Sequence, residues 1–132
     1  FVEPLRRDGL AWQAECGSCH VAYPPRLLQA QSWRRIMQGL DRHFGVDASV
    51  DPGTSAAIGG FLETHAQGAT GKRAEPTATR ITQTRWFRHE HDGIAAATWQ
   101  RPDVRSPANC GACHREAERG DFDERRVRVP GA

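Results

Sequence analysis

Every cysteine in this chain is spent on one motif, Cys-x-x-Cys-His, written once near each end: Cys16-Gly17-Ser18-Cys19-His20 and Cys110-Gly111-Ala112-Cys113-His114. That is the attachment signature of c-type haem. Two residues between the cysteines match the span of the two porphyrin vinyl groups. The following His falls under the iron once the thioethers have fixed the ring edge. The small Gly-Ser and Gly-Ala pairs leave that edge unobstructed. The rival for paired Cys-x-x-Cys motifs is a four-cysteine zinc site. Zinc ribbons hold their pairs about 15–20 residues apart. Here the pairs stand far apart and each is followed by His, which favours haem over zinc, disulfides or redox dithiols. The chain is expected to wrap two covalently bound haem c groups, held by Cys16, Cys19 and His20 and by Cys110, Cys113 and His114.

Composition agrees. Only 38% of the 132 residues are hydrophobic and 8% aromatic. A chain this short buries a modest share of its surface, so covalent haem would supply apolar bulk and each motif would serve as a folding nucleus. No stretch approaches the roughly 18–20 apolar residues of a membrane span. Phe1-Val2-Glu3-Pro4 lacks a basic start followed by an apolar run, so a mature form with its leader removed is expected. Haem is attached outside the bacterial cytoplasmic membrane, which makes the periplasm the expected location.

The formal charge of +2 moves toward neutrality once haem propionates and iron are counted. Residues 67–132 hold 12 basic and 9 acidic side chains, against 6 and 7 in residues 1–66. Arg101, Arg105 and Arg115 are candidates to fork onto propionates, against the plainer reading of a solvated arginine-rich surface. The charges alternate in sign without aromatic interleaving, so no nucleic-acid partner is expected.

Along the chain, Leu5 to Cys19 reads as a helix leading into the first motif, broken by Tyr23-Pro24-Pro25. Ser32 is placed as the N-cap of a second helix. Trp33, Ile36, Met37 and Leu40 recur on one face of it. His43 continues that face, and Phe44-Gly45 ends it. A third helix starts at Asp51-Pro52 and runs through Ala57, Ile58, Phe61 and Leu62 to His65. Gly68 to Lys72 reads as a linker. Beyond it periodicity fades: Thr77 to Thr84 leans extended, Trp99 to Asn109 is irregular, and one helix from Cys110 to Arg119 carries the second motif before Gly120-Asp121-Phe122 stops it.

What lies on the far side of each iron decides function, because a sixth ligand makes a low-spin carrier and an open position permits chemistry. The candidates are His43, His65, His89, His91 and Met37. Met37 lies in the apolar stripe, where a methionine ordinarily fills core. His43 and His65 end their stripes and compete with helix-end roles. His89 and His91 alternate, so one haem would take one of them.

The chain resembles the bacterial diheme cytochromes c over nearly its whole length. The resemblance rests on Glu15-Cys16 through Pro25, Ser32-Trp33-Arg34-Arg35-Ile36-Met37, Leu40-Asp41-Arg42-His43-Phe44-Gly45, Arg80-Ile81-Thr82 to Trp86-Phe87, Ser106-Pro107-Ala108-Asn109-Cys110 and Gly120-Asp121-Phe122-Asp123-Glu124. It implies a mainly α fold, with a class I cytochrome c-like N-terminal haem domain over residues 1–70. A C-terminal haem domain with little regular secondary structure would cover 71–132. It also implies bis-histidine ligation of both haems, so that the irons are held by His20 and His43 and by His114 and His91. His91 matches the second distal position better than His89, and His65 falls at a non-ligand.

The function so implied is that of a periplasmic, low-potential electron carrier, monomeric and not an enzyme. It would link a membrane b-type cytochrome to a soluble oxygen-binding high-spin haem protein. The alternative is a small haem peroxidase or reductase with one open coordination site. A chain of this length has a radius of gyration of about 14 Å, so the two haems are expected to lie close enough to act as one conduit.

Overall fold

The computed structural model describes residues 9–68 and 75–131. Its ordered elements are helical; among the described residues there are isolated β-bridges but no sheet. Helix α1 covers Leu10–Cys16. It is shorter than expected because Gly17 ends it, donating its N–H to the Gln13 carbonyl, while Ser18 Oγ turns back to the Glu15 carbonyl at 2.9 Å. Cys19 and His20 therefore lie beyond the helix, and the expected start at Leu5 lies outside the described residues.

The Pro24-Pro25 pair leads into a 3₁₀ turn at Pro25–Leu27, and helix α2 follows over Ala30–Gln38. Ser32 is not its cap. Gln29 holds that position, and Ser32 lies wholly buried inside the first turn. Its hydroxyl donates instead to the Pro76 carbonyl at 3.2 Å, so a residue that reads locally as a cap is used as a tertiary tie. Trp33 is buried on the same helix and donates its indole N–H to the Pro25 carbonyl at 2.7 Å.

Helix α3, Pro52–Thr64, starts as expected. The Asp51 carboxylate accepts from the Thr54 N–H at 2.9 Å and from its hydroxyl at 2.7 Å, and Pro52 fills the first turn, where no N–H is needed. Ile58, Phe61 and Leu62 form its buried stripe, which α1 and α2 pack against.

In the second half, Thr77 to Thr84 is not extended. It closes in a 3₁₀ turn at Ile81–Gln83, because the Thr84 hydroxyl bonds the Ile81 carbonyl at 2.8 Å and accepts from the Phe87 N–H at 3.1 Å. That cap opens helix α4, Arg85–Glu90, and helix α5 follows at Ala96–Trp99. The helix expected from Cys110 to Arg119 is two separate 3₁₀ turns, Cys110–Ala112 and Ala117–Arg119. Between them the chain pairs with the tail instead: His114 bridges Val127, and the Cys113 carbonyl accepts from the Arg128 N–H at 2.9 Å. Gly120, at φ 75°, ends the second turn in the left-handed region that suits glycine.

One buried cluster runs through Trp12, Leu28, Trp33, Ile58, Phe61 and Leu62 and continues into Ile81 and Phe87 of the second half. The expected linker, apart from Gly68, and the expected 70/71 boundary fall outside the described residues.

Candidate functional site

The first motif opens onto a cavity of about 550 Å³ lined by Cys16, Cys19 and His20 on one side and by Met37, Leu40 and His43 on another. Trp33 and Ile36 of α2 and Ile58 and Leu62 of α3 give it an apolar wall. His43 is aimed by the turn that follows it. Phe44 and Gly45 have φ of 50° and 89°, and His43 and Val46 exchange backbone hydrogen bonds of 2.8 and 3.0 Å. That is a two-residue turn of the I′ type. It folds the chain back so that the His20 and His43 rings face each other with centroids 6.3 Å apart, 26° from parallel.

The second motif has the same spacing by different means. The centroids of His91 and His114 are also 6.3 Å apart, with the rings at 73°. His91 caps the end of α4. Its ring stacks on Phe87 at 4.0 Å, and its Nδ1 bonds the Phe87 carbonyl at 2.7 Å. His89, one residue before the end of α4, is exposed. The structure thus brings His91, not His89, opposite His114. His65 lies elsewhere, at the end of α3 with its ring 4.8 Å from Phe61.

These pairs fit one iron each. A metal–imidazole bond is about 2 Å, and a ring centre lies about 1 Å beyond its nitrogen, so two imidazoles on opposite faces of a metal stand about 6 Å apart. The hydrogen bonding fits as well. His20 Nδ1 and His91 Nδ1 each meet a backbone carbonyl at 2.7 Å, of Val21 and Phe87. Such a bond fixes the tautomer that leaves Nε2 as the ligating atom. His114 differs: its Nδ1 is buried with no hydrogen-bond partner.

Electrostatics point the same way. Burial, reinforced by the facing His20, lowers the pKa of His43. Burial and then the facing His91 lower that of His114, against the opposing pull of Asp121. Both stay in the neutral form that binds metal. Burial pushes the Cys16 and Cys110 thiols up to about 11. The four cysteines form no disulfide. Among the described residues no three His, Cys, Asp or Glu side chains gather as a metal-holding group.

The sequence model of the Dihaem cytochrome c family matches residues 12–122. The chain belongs to that family. A diheme cytochrome type c from Shewanella baltica OS155 is 40% identical, with a TM-score of 0.81 and 96% of each chain covered. A diheme cytochrome c from Rhodobacter sphaeroides is 38% identical, with a TM-score of 0.75 over 85% of this chain and 94% of that one. No curated protein sequence matches. As a dihaem cytochrome c, the protein is a mainly helical electron-transfer haem protein. Its two haem c groups are held covalently through the cysteines of the two motifs.

Several residues of this dihaem cytochrome order the sites although, read from sequence, they have no site role. Asn109, just before Cys110, donates its amide to the Val104 carbonyl at 2.8 Å, and buried Val104 anchors that otherwise irregular loop. Trp99 lies 6.2 Å from His91, and Phe122 lies 5.0 Å from His114. Tyr23, which reads in sequence as part of a helix break, stacks on His20 at 4.7 Å. Of the propionate candidates, Arg101 is engaged by Asp103 at 3.0 and 3.1 Å.

Proposed function

We propose that this dihaem cytochrome is a periplasmic electron carrier with both irons bis-histidine ligated, by His20 and His43 and by His114 and His91. The observation that carries this reading is the recurrence of one 6.3 Å imidazole spacing at both motifs, reached through unrelated local structure. Two neutral imidazoles per iron leave no position for oxygen, nitrite or peroxide, and they give low potentials where a methionine ligand would raise them. Met37, although it lines the first cavity, stays an apolar wall residue.

The chain's own contribution is positioning. The turn after His43 and the Phe87 platform under His91 hold each distal ring, so a change of iron charge meets a fixed environment. In this role the protein, as a monomer, accepts electrons from a membrane b-type cytochrome and delivers them to a soluble oxygen-binding high-spin haem protein. Covalent haem assembly outside the cytoplasmic membrane supports the periplasmic location.

The test is to mix the reduced holoprotein with carbon monoxide and, separately, with a ferric high-spin haem protein. The reading expects no carbon monoxide adduct and rapid transfer to the acceptor. A carbon monoxide adduct or peroxide turnover by the native holoprotein would point to an enzyme with an open site.

A further inference from the structure

Tyr23 is the single tyrosine of the chain, and it links the first attachment motif to Ala108, two residues before the second. Its ring stacks on the His20 imidazole, centroids 4.7 Å apart and planes 24° from parallel. Its phenol O–H donates to the Ala108 carbonyl at 2.9 Å. The Cys110 sulfur lies 3.6 Å from that same oxygen. Tyr23 is itself held in place: its carbonyl accepts from the buried Trp12 indole at 3.3 Å, and Pro24 and Pro25, both fully buried, follow it.

We propose that Tyr23 couples the two haem sites, holding the His20 imidazole against the second attachment motif and carrying inter-haem electron tunnelling through its ring and phenol hydrogen bond. This goes beyond the carrier role and rests on His20 being an iron ligand. The path runs from His20 across a ring stack, through the bonded frame of Tyr23, over one hydrogen bond to Ala108, and across one close contact to the Cys110 sulfur. Tunnelling decays less steeply through bonds and hydrogen bonds than across open gaps, so filling this interval with an aromatic ring raises the coupling. Gln13, bonded to the Glu118 carbonyl at 2.9 Å, also ties the halves, but its bond involves neither an imidazole nor a motif cysteine.

The electron balance is simple. One electron leaves a ferrous iron and reduces the ferric iron of the other haem, and no bond forms or breaks. Tyr23 keeps its proton and is not oxidised.

The experiment delivers one electron to the fully ferric holoprotein by pulse radiolysis and follows its redistribution between the haems. Both potentials are measured separately by spectroelectrochemistry. Tyr23→Phe keeps the stack and removes the phenol bond; it is expected to slow redistribution several-fold with spectra and potentials unchanged. Tyr23→Leu removes both and should slow it further. Gln13→Ala breaks a tie between the halves away from the motifs and should leave the rate as in the native protein. A native rate in Tyr23→Phe overturns the proposal, as does an equal slowing in Gln13→Ala, which would reduce Tyr23 to a structural tie. Failure of the ligand reading would show instead as high-spin iron in the native spectrum, before any rate is compared.

Discussion

The imidazole of His91 lies nearly flat on the ring of Phe87, 18° from parallel at 4.0 Å, and bonds the carbonyl of that same residue. One phenylalanine thus sets both the plane and the tautomer of the ring that faces His114. His89, two residues earlier on the same short helix, is exposed.

His91→Ala is therefore expected to open the second haem to carbon monoxide while the first stays low-spin, and His43→Ala to do the reverse. His89→Ala and His65→Ala should leave both ferric spectra as they are. Carbon monoxide titration of the four reduced variants checks the assignment. An opened second haem in His89→Ala would transfer the ligand role to that residue.

Two glycine substitutions should act in opposite directions. Gly45 has φ of 89°, and no atom lies within 4 Å of the place a β-carbon would take. Gly45→Ala therefore meets no clash and costs only the left-handed backbone, about 1 kcal/mol. Gly60 lies within α3, exposed and equally unobstructed, and Gly60→Ala should add up to about 1 kcal/mol through helix propensity. Guanidinium unfolding of the two holoproteins measures both. A neutral Gly45→Ala would mean that the turn after His43 is not held in the holoprotein.

The Asp51 cap should register on the acid side of the stability curve. The hydroxyl and then the N–H of Thr54 hold its carboxyl below the ordinary 3.8. A carboxylate whose pKa is lower folded than unfolded contributes fully above the unfolded value and loses that contribution as pH falls through the folded one. Asp51→Asn keeps a capping oxygen but does not titrate. Its acid unfolding below about pH 4 should be shallower than that of the native protein. Identical acid limbs would show that the cap does not titrate with folding.

Legibility in the sequence follows covalent chemistry and helix periodicity. The two motifs name their own cofactor, and α3 is readable at both ends because Asp51-Pro52 is a strong start and His65 closes an apolar stripe. Ser32 misleads because cap preference is local, whereas its hydroxyl is claimed by Pro76, 44 residues away. The helix expected through Cys110 fails for a similar reason: Cys113 and His114 pair with residues of the tail, and no local pattern announces that pairing. His43 and His91 are placed by resemblance, since both stand at ends of elements where a bare pattern reads equally as a cap. Tyr23 and Asn109 fall in stretches that carry the resemblance, but their contacts, a stack on His20 and bonds to the Ala108 and Val104 carbonyls, have no local pattern that announces them.

Transfer to a soluble partner should weaken with salt if the basic excess of residues 67–132 forms the docking face. Arg101, Arg119, Arg125 and Arg126 are already paired with Asp103, Glu116, Asp123 and Asp121, so the expected dependence is moderate. Stopped-flow rates should fall as ionic strength takes the screening length below about 8 Å. A flat profile would move docking away from this half.

The proposed ligation closes both irons with a second histidine. Low-temperature electron paramagnetic resonance of the ferric holoprotein, read beside its optical spectrum, tests it most directly. Two low-spin ferric signals are expected, with no high-spin component and no absorption band from a sulfur-to-iron bond. A high-spin signal from either haem, or a sulfur band implicating Met37, would contradict it.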